Sequence, residues 1–201
     1  MSNLPAMVGK KELVRVANMK PPKFLNADDI RLIINTAQKA RYKLLFNFLW
    51  QTGARISEAL ALSYEDIDFE HHQVRLIILK TRRKGNKKED LDGRWIPINT
   101  ELQTALSTYI TLNRLNPYEE LFKMTPEAAH MELKHVLKKA GLPNWIHLHT
   151  FRHSFAINCL RQGVLINTLK QLLGHSRIEN TLIYLTVFQP DVQRQMANVQ
   201  F

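Results

Sequence analysis

From Phe24 onward the apolar residues fall into short periodic runs separated by turn residues. Behind Asn26, the positions Ile30, Ile33, Ile34 and Ala37 share one helical face. Asn26 followed by Ala27, Asp28 and Asp29 suits a helix start, with a side-chain oxygen for the free N–H groups and acids at the positive end of the dipole. Lys43 to Gln51 is apolar nearly all round, which predicts a buried helix stopping at Gly53. The period then changes. VRLIIL (74–79) and RWIPI (94–98) read as strands, and KTRRKGNKKEDLDG between them is too polar to pack, so a long β-hairpin with a basic tip is expected. Helical spacing returns from Thr100 to Leu115, and Thr125-Pro126-Glu127 opens a further helix to Lys139, ended by Gly141 and Pro143. A helix from Thr150 closed by Gly163, a second ending at Gly174 and a third starting at NTLIYL complete the pattern. The stretch from Asp191 to Phe201 suits a short amphipathic helix.

Composition adds scale and a partner. A chain of 201 residues with 45% apolar content can bury a core as one domain. Lys and Arg number 28 against 18 Asp and Glu, a net charge of +10 that points to a polyanion. Residues 1–23 carry Lys10, Lys11, Arg15, Lys20 and Lys23 and end in Pro21-Pro22, so they read as a basic linker or arm. At the hairpin tip Arg82, Arg83, Lys84, Lys87 and Lys88 are candidate nucleic-acid contacts, a merely solvated charged surface being the alternative. No apolar run approaches the roughly 18 residues needed to span a bilayer, and no signal-peptide core precedes the first helix, so no membrane partner and a cytoplasmic location are expected. The single cysteine, Cys159, lies among apolar neighbours and is assigned no chemistry.

Three segments concentrate polar groups. TGARISEALAL sets Arg55 and Glu58 one helical turn apart, HLHTFRH does the same for His149 and Arg152, and LGHSRIENTLIYL holds His175 and Tyr184. Four histidines, His147, His149, His153 and His175, raise the question of a metal. An arginine in the cluster would repel a cation and no carboxylate or cysteine completes the ligand set, so no metal is expected.

In this order and spacing the segments TGARISEALALSYEDID, HTFRHSFAINCLRQGV and LGHSRIENTLIYL resemble the tyrosine recombinase (phage integrase) family, over roughly residues 24–188. The resemblance implies an α+β, mainly helical fold with a small antiparallel sheet at one edge. It divides the chain into the arm 1–23, a catalytic domain 24–188 and a tail 189–201. It implies a site-specific recombinase in which Tyr184 is the nucleophile, Arg55 and Arg152 clamp the scissile phosphate, and His149 and His175 contact it. A hairpin lysine acts as general acid in the family; Lys80 is the favoured position, with Lys84 and Lys87 as alternatives. Glu58 and His153 would support the site, while His147 lies outside the matched box and reads as a loop residue.

The residue types suit the chemistry. A phenol with a pKa of about 10 needs help losing its proton, and guanidiniums match the developing charge on phosphate oxygens with paired donors. A phosphotyrosyl link would conserve the phosphodiester energy, so no cofactor, ATP or metal is called for. The implied partners are double-stranded DNA and further copies of the chain, since the family assembles a tetrameric synapse on DNA; in a bacterium the location would be the nucleoid. Two other readings stay open: a noncatalytic DNA-binding regulator on the same fold, and type IB topoisomerase-like relaxation. Family members carry a core-binding domain ahead of the catalytic one, for which residues 1–23 are too short, so an excised domain or a naturally short recombinase is expected. Met196, Val199 and Phe201 in the tail would offer an apolar face to a neighbouring subunit or to their own domain.

Overall fold

The computed structural model describes residues 20–77 and 92–191. The basic arm to residue 19, the hairpin tip with Lys80, Arg82, Arg83, Lys84, Lys87 and Lys88, and the tail with Met196, Val199 and Phe201 lie outside the described residues.

Helix α1 (Ala27–Thr36) starts where Asn26 accepts a hydrogen bond from the Asp29 N–H at 2.8 Å. Helix α2 (Ala40–Thr52) buries Leu44, Leu45, Phe46, Phe48 and Leu49 around much of its circumference and is the centre of the main core. Gly53 ends it in the left-handed conformation, and a short helix α3 (Ile56–Leu60) follows at once. A single 3-10 turn (Tyr64–Asp66) leads into strand β1 (Ile67–Asp68), which pairs with β2 (Gln73–Ile77), itself paired with β3 (Gly93–Pro97) in an antiparallel sheet of order β1-β2-β3. Both strands expected for the hairpin are present: β2 starts one residue earlier than expected and runs to Ile77, the last described residue before the tip, and β3 lies one residue earlier at both ends, while the short β1 is too brief to leave a period in the sequence. Val74, Leu76 and Ile96 put one face of the sheet into the core.

Helix α4 (Thr100–Asn113) is capped by Asn99, and α5 (Pro126–Ala140) by Thr125 with proline in its first turn and Gly141 closing it, as the local sequence dictates. Helix α6 (Leu148–Arg161) begins two residues earlier than its apolar pattern suggests, because the Thr150 hydroxyl accepts from the His147 N–H at 3.1 Å and caps the first turn. His147 is thus the N-cap residue rather than part of a loose loop. Helix α7 (Ile166–Leu173) ends at Gly174, and α8 (Glu179–Leu182) gives way to a 3-10 run (Ile183–Asp191) where a continuous helix was expected. The Thr186 hydroxyl donates to the Ile183 carbonyl at 2.6 Å, a bond three residues back that suits the tighter winding.

Helix α2 packs against α1, α4 and α6. A second, smaller core of Phe155, Ala156, Ile157, Leu169, Leu173 and Tyr184 sits between α6, α7 and the terminal 3-10 run. The site lies where the two cores meet. The chain ahead of α1 is tied to this region as well, since the Leu25 N–H donates to Ser154 Oγ on α6 at 2.8 Å.

Candidate active site

The site begins with a glycine. Gly53 has φ +63°, and a Cβ on it would stand 2.3 Å from Cδ1 of Phe155, so the turn after α2 fits tightly against α6 only because the side chain is absent. That turn aims the Gly53 carbonyl at Arg152. Nη1 of Arg152 donates to it at 2.7 Å, and Nη2 donates to the Leu173 carbonyl at 2.5 Å. Leu173 closes α7, where carbonyls lack helical partners and the dipole is negative, so the cation is well placed there. Arg152 is 1% exposed, an extreme burial for a guanidinium. Burial, and next the positive Arg55, press its pKa down to about 10, against the pull of Glu58 and Tyr184; it stays charged at neutral pH.

Arg55 is the N-cap residue of α3 and donates through Nη1 to Glu58 Oε1 at 2.8 Å, while its backbone N–H donates to Oε2 at 2.8 Å. Arg94 on β3 completes this group. Its Nη1 and Nη2 donate to the two oxygens of Glu58 at 3.0 and 2.9 Å, and its Nε donates to the Leu172 carbonyl at 2.7 Å. Burial pushes the Glu58 carboxyl up, but the hydrogen bonds and charges of Arg94 and Arg55 together outweigh it and hold the group below its ordinary value. Gly174 makes room for this arrangement: a Cβ there would come within 2.9 Å of Arg94 Nη1. Consecutive carbonyls, Leu172 and Leu173, therefore anchor Arg94 and Arg152 to one helix end.

Arg94 is the residue that sequence reasoning missed. The signal was present: alternation along β3 sets Arg94 on the face of Ile96, opposite Leu76 of β2, so a charged group points toward the buried side of the sheet.

Around the arginines stand the histidines and the tyrosine. Tyr184 is 2% exposed, and its hydroxyl lies 3.1 Å from Nδ1 of His153. Burial raises its pKa, opposed by the positive charges of Arg152 and Arg55. His149 meets His153 edge-on with ring centroids 4.6 Å apart, and His147 stacks on His149 at 6.5 Å. His175 pairs through Nδ1 with Thr181 Oγ1 at 2.9 Å. Burial first, and then the surrounding positive groups, push His149, His153 and His175 each down to about 4, so all three rings are neutral at neutral pH.

Arg55, Glu58, His149, Arg152, His153, His175 and Tyr184 are thus gathered into one electrostatically coupled group, while Lys80 and the basic tip fall outside the described residues. Among the described residues no group of three or more His, Cys, Asp or Glu side chains is arranged to hold a metal ion, and no helix is long and apolar enough to cross a membrane. A neutral hydroxyl beside a neutral imidazole, flanked by fixed guanidiniums, is equipped to bind a phosphodiester and attack it.

Solved structures share this architecture. That of the XerA recombinase aligns with a TM-score of 0.71 at 23% identity, covering 92% of this chain and 66% of that one. The catalytic domain of bacteriophage HP1 integrase aligns at 0.62 with 25% identity, covering 88% of this chain and 94% of that one. The fold is that of the catalytic domains of tyrosine recombinases. Residues 23–190 match the phage integrase family, and the chain belongs to it. Curated relatives include the tyrosine recombinase XerA of Pyrococcus horikoshii, 34% identical over 176 residues covering 83% of this chain and 57% of the relative. Another is the tyrosine recombinase XerC of Anoxybacillus flavithermus, 30% identical over 186 residues covering 84% and 59%. The chain spans somewhat more than half the length of these relatives.

Proposed function

We propose that the chain is the catalytic part of a site-specific DNA recombinase that cuts and rejoins double-stranded DNA through a 3′-phosphotyrosyl intermediate, without metal or ATP. The observation that carries this reading is the buried Tyr184 hydroxyl in one electrostatic group with Arg152 and Arg55. Tyr184 attacks phosphorus; Arg55 and Arg152 hold the nonbridging oxygens, with His149 and His175 as further contacts. A guanidinium has more N–H donors than the two that Arg152 spends on backbone carbonyls, so it keeps donors for a phosphate while being rigidly held. Glu58 keeps Arg55 in place. Lys80, or else Lys84 or Lys87, protonates the departing 5′ oxygen, and Arg82, Arg83 and Lys88 contribute backbone contacts to DNA.

Residues 24–188 are the catalytic domain in this reading, with 1–23 a basic arm and 189–201 a tail. Relatives of this fold have been seen on DNA, among them the XerH recombinase bound to its difH substrate, 21% identical with a TM-score of 0.69. The +10 net charge supports the same partner here, and assembly of several copies on DNA, in the cytoplasm or on the nucleoid, is part of the proposal.

The test is incubation with a nicked suicide substrate carrying the recombination site, in EDTA, with wild type and Tyr184→Phe side by side. An SDS-stable protein–DNA adduct from wild type only is expected. Binding without an adduct on a verified site would refute the reading in favour of a noncatalytic DNA binder, and relaxation of supercoiled plasmid without strand exchange would favour topoisomerase-like action.

A further inference from the structure

Three threonines of this fold spend their hydroxyl proton on their own backbone. Thr52 donates to the Phe48 carbonyl at 2.7 Å, Thr104 to that of Thr100 at 2.8 Å and Thr186 to that of Ile183 at 2.6 Å, each about one turn back. Thr181 does not. It is fully buried, and its hydroxyl meets Nδ1 of His175 at 2.9 Å and no other partner among the described residues. From this contact we infer that Thr181 is a positioning residue: its hydroxyl donates to Nδ1 and so fixes the imidazole proton of His175 on Nε2, the nitrogen left to donate to the scissile phosphate. The inference rests on the recombinase reading above and deepens the role given there to His175.

A hydrogen bond between a hydroxyl and an imidazole nitrogen can run either way, and what each group has left over decides the direction. Were the proton on Nδ1, the ring would donate and the threonine would keep its own proton with no acceptor for it. A buried donor without an acceptor is strongly disfavoured. With the hydroxyl donating, that proton is placed and the ring must hold its own on Nε2. Nε2 has no partner among the described residues. Arg55, Arg94 and Arg152 act on the ring through their charge, yet their bonded N–H groups go to Glu58 and to the Gly53, Leu172 and Leu173 carbonyls. The anionic oxygens of a phosphodiester only accept hydrogen bonds. An Nε2 lone pair would repel them, whereas an Nε2 proton joins the guanidiniums in holding them.

The place of the threonine in the chain adds a consequence. Thr181 lies on α8, three residues ahead of Tyr184. The segment that presents the nucleophile is therefore the one that prepares the donor. Its hydroxyl is held from two sides: the Thr181 N–H donates to the Ile178 carbonyl at 2.7 Å, and the branched Cβ restricts the side chain to few rotamers.

The test has two parts. Two-bond proton–nitrogen correlations of the wild type at neutral pH read the tautomer of His175, whose signals are those lost in His175→Gln. A proton on Nε2 and a bare Nδ1 are expected; a proton on Nδ1 overturns the inference. On the nicked suicide substrate, Thr181→Val keeps the shape and removes the hydroxyl. It is expected to bind DNA as wild type does and to form the adduct about 10-fold more slowly, the scale of one lost hydrogen bond, with Thr181→Ser recovering most of the rate. In a His175→Gln background the same replacement is expected to slow the adduct no further, because both changes act through one ring. If Thr181→Val does not fold, Thr181→Ala makes the same comparison. A wild-type rate without the hydroxyl, or an equal loss with and without His175, overturns the inference while the recombinase reading stands. No adduct from wild type on a verified site overturns both.

Discussion

Replacing Arg94 by methionine removes its guanidinium and keeps much of the aliphatic length. The Glu58 side chain is 3% exposed and that of Arg94 10%, and the two share a bidentate pair at 3.0 and 2.9 Å. Removing one partner of a buried pair costs about 3–5 kcal/mol, because a charge is left buried without its counterion. Here Arg55 Nη1 and the Arg55 N–H remain on the carboxylate, so the lower end, about 3 kcal/mol, is expected. Loss of the Nε donor to Leu172 adds about 1 kcal/mol. At roughly 2–4 °C per kcal/mol for a domain of this size, Tm should fall by about 10 °C. The assay is thermal and urea unfolding of wild type, Arg94→Met, Glu58→Gln and the double variant. In the Glu58→Gln background the loss should shrink to about 1–2 kcal/mol, since no charge is stranded. The sign with pH follows from the lowered Glu58 value: the contribution is complete above the ordinary carboxylate value of 4.5 and disappears as pH falls through the lower folded value. An Arg94→Met protein that melts with wild type, or one that loses as much stability without Glu58 as with it, would refute the reasoning.

Two further expectations concern the same region. Gly53→Ala places a methyl 2.3 Å from Phe155 in a left-handed backbone, and strain plus overpacking should cost about 2–4 kcal/mol. It should also slow DNA cleavage by disturbing the carbonyl that holds Arg152, and an unchanged urea midpoint would count against that tight contact. Acid should weaken the fold through His149, His153 and His175, whose values fall from 6.5 to about 4 on folding. The native state then binds fewer protons than the unfolded chain between those limits, so stability is full above pH 6.5 and declines as pH falls toward 4. A urea midpoint that stays level across that interval would show that the rings are not held neutral.

Much of the local structure was legible in advance because its causes are local. Asn26 and Thr125 cap their helices through atoms three residues away, and Gly141 and Gly174 end helices through their own backbone freedom. The exceptions are instructive. The 3-10 run at Ile183–Asp191 carries the same apolar residues as a helix would, and β1 is only 2 residues long, so neither departs enough from the expected period to be read.

The sequence by itself determined the helical and hairpin elements, the positive charge, and the three motifs whose order and spacing resemble the phage integrase family. These depend on residues within a turn or two of one another, or on residue identity alone. Only the tertiary structure decided how the motifs meet: Arg152 bonds to carbonyls 99 and 21 residues away, Arg94 to a carboxylate 36 residues away, and His153 to a tyrosine 31 residues away. Which of two histidines on one helix reaches the tyrosine depends on how α6 is rotated against α7 and the 3-10 run. That rotation is set by the packing of Phe155, Leu169 and Leu173, and no periodicity along the chain encodes it.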